Sequence, residues 1–468
     1  MHCCVKWKSL NVPASVITAG PHGLRSAALT WIRCSCVADK RIACIRLSPE
    51  KSEMIAPLPR CMSCSHCYLH QNAHTGNPMT KIRLLGGLSP SDFLQDHWQK
   101  KPLLIRKALP DFSGLLDANE LIDLACQEDA QSRLVTRRNG RWEVRHGPFA
   151  PRAFARLPQK GWTLLVQDVN HFLPAARELL LKFNFIPHSR LDDLMVSYAP
   201  EDGGVGPHFD SYDVFLLQGT GRRRWRISGQ KDRTLVAAAP LKILQDFRPE
   251  QEWVLEPGDM LYLPPGYAHD GVAVEPCMTY SIGFRAPTYQ ELAMQFLVHL
   301  QDSCEIAGIY EDPDLRIQTH PGQISSAMLD QVNAALDKIE WDNVEVERFI
   351  GMYLTEPKPH VFFMPPQEPI SERKFVHQIR KGKLQLDLKS RMLFRENRIF
   401  LNGDVYEVGK TAQRILGELA DRLALSPVRD IDAETQALLY QWYLDGYVVY
   451  VEDTGAVEEI QESIIERK

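Results

Sequence analysis

Residues 206–210 read Gly206-Pro207-His208-Phe209-Asp210, and a second histidine, His269, follows 61 residues after His208. Side chains at positions i and i+2 of a strand point to the same face, so His208 and Asp210 can reach one metal ion together. His269 must then come from another strand. Two imidazoles and one carboxylate leave about three positions of an octahedral ion open, the arrangement typical of mononuclear non-haem Fe(II) sites. These three side chains are our candidate metal ligands and catalytic centre.

Short apolar runs on both sides of these residues indicate β-strands. The runs cover 162–167, 194–198, 212–217, 222–227, 260–263 and 278–284. Glycine and proline separate them, as in Gly219-Thr220-Gly221 and Pro257-Gly258-Asp259. The short loop at 219–221 predicts a hairpin between its two flanking strands. Many short strands with turns between them predict an antiparallel sandwich or barrel.

Alternation along the run 222–227 places one arginine inside this barrel. Trp225 and Ile227 are apolar and should face the core, and Arg223 shares their parity. A buried cation is costly unless an anion meets it, and a guanidinium suits a carboxylate. Arg223 is therefore a candidate clamp for a dicarboxylate cosubstrate, with Ser197 as a second donor. The pattern also allows Arg223 to reach solvent at the strand end, and Ser197 to bond only backbone.

These residues carry a resemblance to a known family. The stretch from Gly206 to Phe215, followed by Gln218-Gly219-Thr220-Gly221-Arg222-Arg223-Arg224-Trp225, resembles the JmjC-type 2-oxoglutarate oxygenases. Within them it is most similar to the bacterial ribosomal-protein hydroxylases. The resemblance continues through 257–269 and 280–285, and it includes Asp96-His97-Trp98-Gln99-Lys100-Lys101-Pro102.

The resemblance implies an α+β protein in three parts. We expect a double-stranded β-helix catalytic domain, of the jelly-roll or cupin type, at 79–290. A helical dimerisation region would follow at 291–368, and a winged-helix-like domain at 369–468. The apolar residues at 291–300 and 327–339 recur at helical spacing. These helix faces could pack within one chain just as well as in a dimer interface.

The resemblance also implies a function. His208, Asp210 and His269 would hold Fe(II), and Arg223, assisted by Ser197, would bind the distal carboxylate of 2-oxoglutarate. With O2 as the other cosubstrate, the protein would hydroxylate an arginine side chain of a 50S ribosomal protein. It would act as a homodimer in the cytoplasm.

Three alternatives remain open from the residues alone. The chain could be a JmjC-type hydroxylase or demethylase that acts on another basic protein. It could be a cupin-type metalloenzyme that is not an oxygenase, although such a site often has a fourth protein ligand and needs no inward cation. It could also be a catalytically silent binding module whose C-terminal part does the work.

Net charge and hydropathy limit the classes of partner that the chain can have. The chain has a net charge of −5, but residues 1–78 hold nine basic and three acidic residues, which leaves the remainder at −11. An acidic body argues against direct binding of nucleic acid and suits a basic protein partner. No run of 18 or more apolar residues occurs, so we expect no membrane contact.

Residues 1–78 differ from the rest in composition. They hold eight of the eleven cysteines, including Cys61, Cys64 and Cys67, and the few later cysteines fit a reducing cytoplasm. The Cys-x-x-Cys-x-x-Cys spacing allows a metal or Fe–S site. Lacking clear periodicity, 1–78 is instead expected to be a disordered extension, or an upstream region included by a misplaced start before Met79.

The two ends of the family-like region offer further hypotheses. Asn170 and His171 follow the strand at 162–167, and His171 could line the pocket or be structural.

Near the C-terminus, Asn402-Gly403 between two apolar runs predicts a hairpin. Helical patterns at 411–423 and 433–444 and a strand at 446–451 complete the winged-helix-like unit. Its acidic residues favour a structural or protein-contact role over DNA binding.

Overall fold

The computed structural model describes residues 84–138, 140–428 and 430–451. The described residues all belong to one unit of the chain, Asn77–Lys468. Among these residues, no helix has the length and apolarity that a membrane crossing requires. The predictions made for 1–78, including the Cys61-x-x-Cys64-x-x-Cys67 site, lie outside the described residues.

The first half of the described chain is mainly β-structure. Its strands are β1 (Leu103–Ile105), β2 (Ser132–Arg138), β3 (Arg141–His146), β4 (Trp162–Val166), β5 (Leu191–Ala199), β6 (His208–Phe209), β7 (Val214–Gln218), β8 (Arg223–Ser228), β9 (Gln251–Leu255), β10 (Met260–Leu263), β11 (Ala268–Ala273) and β12 (Cys277–Phe284). Its helices are α1 (Pro90–Asp96), α2 (Ala118–Ala125) and α3 (Pro174–Leu181), with 3₁₀ turns at Pro151–Ala153 and Val169–His171.

These strands form two antiparallel sheets, as predicted for a jelly roll. The larger has the order β1-β10-β7-β12-β5-β4-β2-β3, and the smaller has the order β6-β11-β8-β9. Alternate side chains of β7 face two different cores. Phe215 and Leu217 face the main core, whereas Val214 and Leu216 pack with Trp225 of β8 in a second core between the sheets. The outer face of the large sheet thus stabilises the fold, and its inner face is free to build a site.

The predicted hairpin at 219–221 is wrong. β7 pairs with β10 and β12 in the large sheet, whereas β8 pairs with β11 and β9 in the small one. The loop carries the chain from one sheet to the other. A Cβ at Gly221, whose φ is +66°, would lie 2.1 Å from the carbonyl oxygen of Pro276. The glycine therefore permits a close crossing of two backbones, which resembles a tight hairpin in sequence but does not pair its strands.

The segment 96–102 packs against the outer face of the large sheet. Gln99 donates from its side chain to Asp213 at 2.9 Å and from its backbone to the hydroxyl of Tyr262 at 2.7 Å. Tyr262 in turn donates to Asp213 at 2.6 Å, and Trp98 stacks on the ring of Tyr262. Asp213 is fully buried, so these donors satisfy a carboxylate that would otherwise be costly.

A helical region follows the sheets. It consists of α4 (Tyr289–Ser303), α5 (Ser326–Leu336) and α6 (Asn343–Thr355). Thr288 caps α4 through the backbone N–H of Glu291 at 3.0 Å, and Ser325 caps α5 in the same way. The helical spacing predicted at 291–300 and 327–339 is confirmed. α5 has no buried residue, so its apolar side chains do not form a core within the described chain.

The C-terminal part has its own core. Its elements are α7 (Glu372–Ile379), β13 (Lys383–Leu386), β14 (Met392–Arg395), β15 (Arg398–Leu401), β16 (Asp404–Glu407), α8 (Lys410–Arg422), β17 (Ala424–Leu425), α9 (Ala433–Leu444) and β18 (Val448–Val451). The strands form the sheets β17-β13-β18 and β14-β15-β16 around the buried Trp442. The Asn402-Gly403 hairpin is confirmed, and both residues have positive φ, as a two-residue turn requires.

Partly buried ion pairs join the helical region and the C-terminal part to the β-sheets. The guanidinium of Arg391 contacts both the carboxylate and the carbonyl of Asp192 at the start of β5. Lys358 lies 2.7 Å from Asp168 and 3.5 Å from the same Asp192. Asp192 begins the strand that carries Ser197, so the C-terminal part helps to fix a strand of the candidate site.

Candidate metal and cosubstrate site

The structure brings His208, Asp210 and His269 together. One ligand atom from each lies within 4.8 Å of the other two, and no other cluster of three or more such ligands occurs among the described residues. Nε2 of His269 is 3.6 Å from a carboxylate oxygen of Asp210. Pairing of β6 with β11 places His208 directly opposite His269, which explains how residues 61 apart meet.

Backbone carbonyls orient both imidazoles. Nδ1 of His208 donates to the carbonyl of Gly206 at 2.8 Å, and Nδ1 of His269 donates to that of Tyr267 at 3.0 Å. Each ring therefore keeps Nε2 free as an acceptor, the tautomer that a metal-binding histidine needs. Burial, with the neighbouring His208, lowers the pKa of His269 to about 4, which keeps that ring neutral. The donor set fits a divalent metal such as Fe(II).

Arg223 is the most unusual charge in the site. Its side chain is 3% exposed and points to the inner side with Trp225 and Ile227, as alternation predicted. It donates to the hydroxyls of Ser197 and Thr279 at 3.3 Å each and to the carbonyl of Gly271 at 3.1 Å. No described carboxylate forms an ion pair with it, and its Nε has no acceptor. Burial lowers the pKa of Arg223, because it disfavours the charge.

Sequence reasoning missed Thr279 and the carbonyl of Gly271. Thr279 lies directly opposite Ser197 in the pairing of β12 with β5. Tyr280 and Ile282 of β12 belong to the main core, so parity alone could have placed Thr279 on the inner face. The carbonyl of Gly271 could not be predicted in this way, because every residue type has a backbone carbonyl.

One cavity of about 460 Å³ contains both the metal-ligand cluster and Arg223. Apolar walls come from both sheets and include Met195, Leu216 and Trp225. The residues with polar side chains that line it beyond the candidate ligands and Arg223 are Arg133, Thr163, Gln167, Asp192, Asp193, Ser197, Tyr212, Lys242, Thr279 and Ser281. An apolar chamber with a few convergent polar groups is the usual form of a small-molecule site.

A buried acid also faces this cavity. Burial, together with the carboxylates of Asp168 and Asp192, raises the pKa of Asp193 to about 7. The backbone N–H of Asp168 donates to Asp193 at 3.2 Å. Burial and the nearby Asp210 likewise raise the pKa of Tyr212, which keeps its hydroxyl protonated. The cavity thus holds a cation at one place and an ionisable acid at another.

His171 is not part of this cavity. It lies in the 3₁₀ turn Val169–His171 and lines a separate small hollow beside Arg177 and Arg391. Burial lowers its pKa to about 4, so the ring is neutral. Of the two hypotheses for His171, the structural one holds. Neighbouring Asn170 accepts from the backbone of Leu194 at 2.9 Å and so supports β5.

Fold and site together define a JmjC-type 2-oxoglutarate oxygenase. A family model described as the JmjC domain matches residues 178–292, and a second, described as a ROXA-like winged helix, matches residues 338–448.

Relatives narrow the class. The chain is 34% identical to the ribosomal protein uL16 3-hydroxylase of Escherichia coli over 72% of its own length and 89% of the relative's. It is 40% identical to a probable ribosomal oxygenase of Haemophilus influenzae over 49% of this chain and 56% of that one. A structure of the E. coli ribosomal oxygenase YcfD with cobalt and 2-oxoglutarate superposes with a TM-score of 0.67 at 32% identity, covering 78% of this chain and 98% of that one. The chain belongs to the bacterial ribosomal oxygenase family.

Proposed function

We propose that this protein is an Fe(II)- and 2-oxoglutarate-dependent hydroxylase of an arginine side chain in a ribosomal protein of the large subunit. The observation that carries the proposal is Arg223. A buried guanidinium without an acidic partner shares its cavity with three metal-ligand side chains. A cosubstrate that chelates a metal at one end and carries a carboxylate at the other satisfies both features.

The roles follow from the contacts. His208, Asp210 and His269 would hold Fe(II), and Arg223 would bind the distal carboxylate of 2-oxoglutarate with help from Ser197 and Thr279. Bound iron with 2-oxoglutarate and O2 supplies the oxidation that inserts one oxygen atom into a C–H bond, with succinate and CO2 as the other products. The apolar walls of the cavity would exclude water from that reaction.

The arginine substrate is supported by Asp193. A guanidinium is best recognised by a carboxylate, and Asp193 supplies one on the inner face of β5. Tyr212, which lines the same cavity, could direct its hydroxyl toward the same group. The relative from E. coli is named for hydroxylation of the ribosomal protein uL16. A basic protein of this kind would also be drawn to the acidic body, and its synthesis would place this enzyme in the cytoplasm.

A homodimer is supported by the helical region. Leu297 of α4 is 57% exposed, and Leu329 and Leu336 of α5 are 52% and 56% exposed. Large exposed apolar side chains grouped on neighbouring helices of the sequence suit an interaction site. We propose that these faces pair between two copies, within a helical region at 291–368 that separates a catalytic domain at 79–290 from a C-terminal domain at 369–468.

The test combines product and substrate analysis. With Fe(II), 2-oxoglutarate and ribosomal proteins, the full chain should release succinate, and His208→Ala should not. Ribosomal proteins from cells with and without the gene should differ by one oxygen on one protein, and peptide fragmentation should place it on an arginine. An oxygen on another residue type would refute the arginine assignment. No succinate release by the parent protein would refute the oxygenase proposal.

A further inference from the structure

The segment 131–160 carries a charge opposite to that of the rest of the body. It holds seven arginines and Lys160 against one acid, Glu143. The net charge of −11 for 79–468, which favours a basic partner over nucleic acid, hides this basic segment. In the structure the segment forms β2, β3 and the 3₁₀ turn Pro151–Ala153, with β3 at the open edge of the large sheet.

Five exposed guanidinium groups gather on this edge, and we call them the arginine patch. They belong to Arg138, Arg141, Arg145, Arg152 and Arg156. Pairing of β2 with β3 sets Arg138 opposite Arg141, and the patch residues line two shallow depressions around Glu143. Among the described residues none of the five forms an ion pair. Exposed arginines normally alternate with acids, so an unpaired group indicates an anionic partner.

The strand β2, which carries Arg138 of the patch, also lines the cavity. Trp142 of β3 packs so closely on Gly206 that a Cβ there would lie 2.7 Å from the indole. Gly206 is the residue whose carbonyl orients His208. Arg133 and Val135, on the same β2 strand, line the cavity itself. The patch arginines of β2 and β3 share the parity of Leu134, a main-core residue, so a partner on the patch would lie on the opposite face of a strand that lines the cavity.

The chemistry favours RNA as that partner. A guanidinium presents two parallel donors that match phosphate, and several spaced along an edge can follow a phosphodiester backbone. Half-buried Trp142 lines one depression beside Arg138 and Arg141, and an aromatic ring among arginines is what unstacked bases bind. We propose that the arginine patch docks RNA. The choice of RNA over an acidic protein segment also rests on the proposed function, since the proposed substrate is a protein that binds ribosomal RNA.

The experiment measures binding of a labelled oligouridylate to the full-length protein as salt is varied. Replacing three patch residues, Arg141→Gln, Arg145→Gln and Arg152→Gln, should make the slope of log affinity against log salt shallower by about 2. Affinity at about 0.1 M salt should fall roughly a hundredfold. The matching Arg→Lys triple variant should retain most of the salt slope, because it keeps the three positive charges.

A control of equal charge separates the patch from the rest of the protein. Arg373→Gln, Lys374→Gln and Arg380→Gln remove three exposed cations from α7 and its C-cap, in the winged-helix-like domain. They should leave RNA affinity within about twofold of the parent. Equal loss in the two triple variants would overturn the assignment, and so would polyglutamate binding the patch as tightly as oligouridylate.

Turnover keeps the two proposals distinct. The Gln patch variant should release succinate from an isolated ribosomal-protein substrate at the parent rate. Patch-dependent RNA binding without turnover would refute only the proposed function. Turnover without patch-dependent RNA binding would refute only this inference.

Discussion

At the scale of single residues, Arg223 links what the sequence predicts to what the site can do. Parity with Trp225 and Ile227 was enough to place it inside, and the structure adds that no described acid meets it. Its pairing with Ser197 was likewise predictable. Thr279 was predictable only in retrospect, because a threonine on a buried strand is usually no more than a strand-forming residue.

Arg223→Gln should raise the 2-oxoglutarate concentration for half-maximal turnover by about a hundredfold, because a charge-assisted bidentate contact is lost. Arg223→Lys should lose less. The iron concentration required should change little. Steady-state succinate assays with each component varied in turn provide the measurement, and Arg224→Gln, an exposed neighbour on β8, is the control. Equal increases in the iron and 2-oxoglutarate requirements would contradict the clamp role.

Asp193 gives a pH dependence. Its pKa is raised to about 7, so the carboxylate is charged above that pH and neutral below it. KM for the ribosomal-protein substrate should therefore rise as pH falls through about 7. Asp193→Asn should have a high KM that does not vary across this range. Asparagine cannot ionise, so the thermal unfolding midpoint of the variant above pH 7 should not drop below that of the parent.

Exposed Asp314 is the control for this measurement, and Asp314→Asn should keep the pH profile of the parent. A parent KM that stays constant from well below to well above pH 7 would count against Asp193 as the guanidinium partner.

At the scale of elements, the strands were predictable and their partners were not. Apolar runs fixed the positions of β7 and β8, but a loop of three residues with two glycines looks the same in a hairpin and in a crossing between sheets. The difference lies in a long-range contact of Gly221 with Pro276, which no local pattern contains. The Asn402-Gly403 hairpin was correct because its turn type depends only on local backbone angles.

Gly271 of β11 offers a test of how this element serves the site. A Cβ there would lie 2.6 Å from the ring of Trp225 and 2.9 Å from Nε of Arg223. Gly271→Ala should displace the guanidinium and cost about 1–3 kcal/mol of stability through overpacking. Isothermal titration should show weaker 2-oxoglutarate binding by the metal-loaded variant.

Metal affinity in the same variant should stay near that of the parent. His269 lies two residues away, and its ring keeps the hydrogen bond to the carbonyl of Tyr267. Unchanged 2-oxoglutarate affinity in Gly271→Ala would mean that the guanidinium position is not limiting for cosubstrate binding.

At the scale of the whole described chain, the β-sheets, helical region and C-terminal part are connected through partly buried ion pairs such as Arg391 with Asp192. Sequence patterns predicted the order of these parts. They could not predict the contact between them, because an arginine and an aspartate 199 residues apart leave no periodic signal. At this scale the net charge also does not describe the charge of each surface, since it averages the arginine patch with an acidic remainder.

Leu297→Glu together with Leu329→Glu should convert a dimer into a monomer, because two charges would have to be buried in an apolar interface. Light scattering coupled to size-exclusion chromatography reads the mass directly. Val236→Glu, at a position 41% exposed outside the helical region, should leave the mass unchanged. A parent protein that is monomeric, or a double variant that is still dimeric, would contradict the proposed interface.

The most direct test of the central claim is anaerobic titration of the Fe(II)-loaded protein with 2-oxoglutarate, followed by the visible charge-transfer absorption that appears when a 2-oxo acid chelates ferrous iron. We expect this band in the parent protein and in His320→Ala, a control at an exposed histidine. His208→Ala should lack the band, and Arg223→Gln should need far more 2-oxoglutarate to reach it. Absence of the band in the parent, or an undiminished band in His208→Ala, would contradict a shared site for iron and 2-oxoglutarate in this cavity.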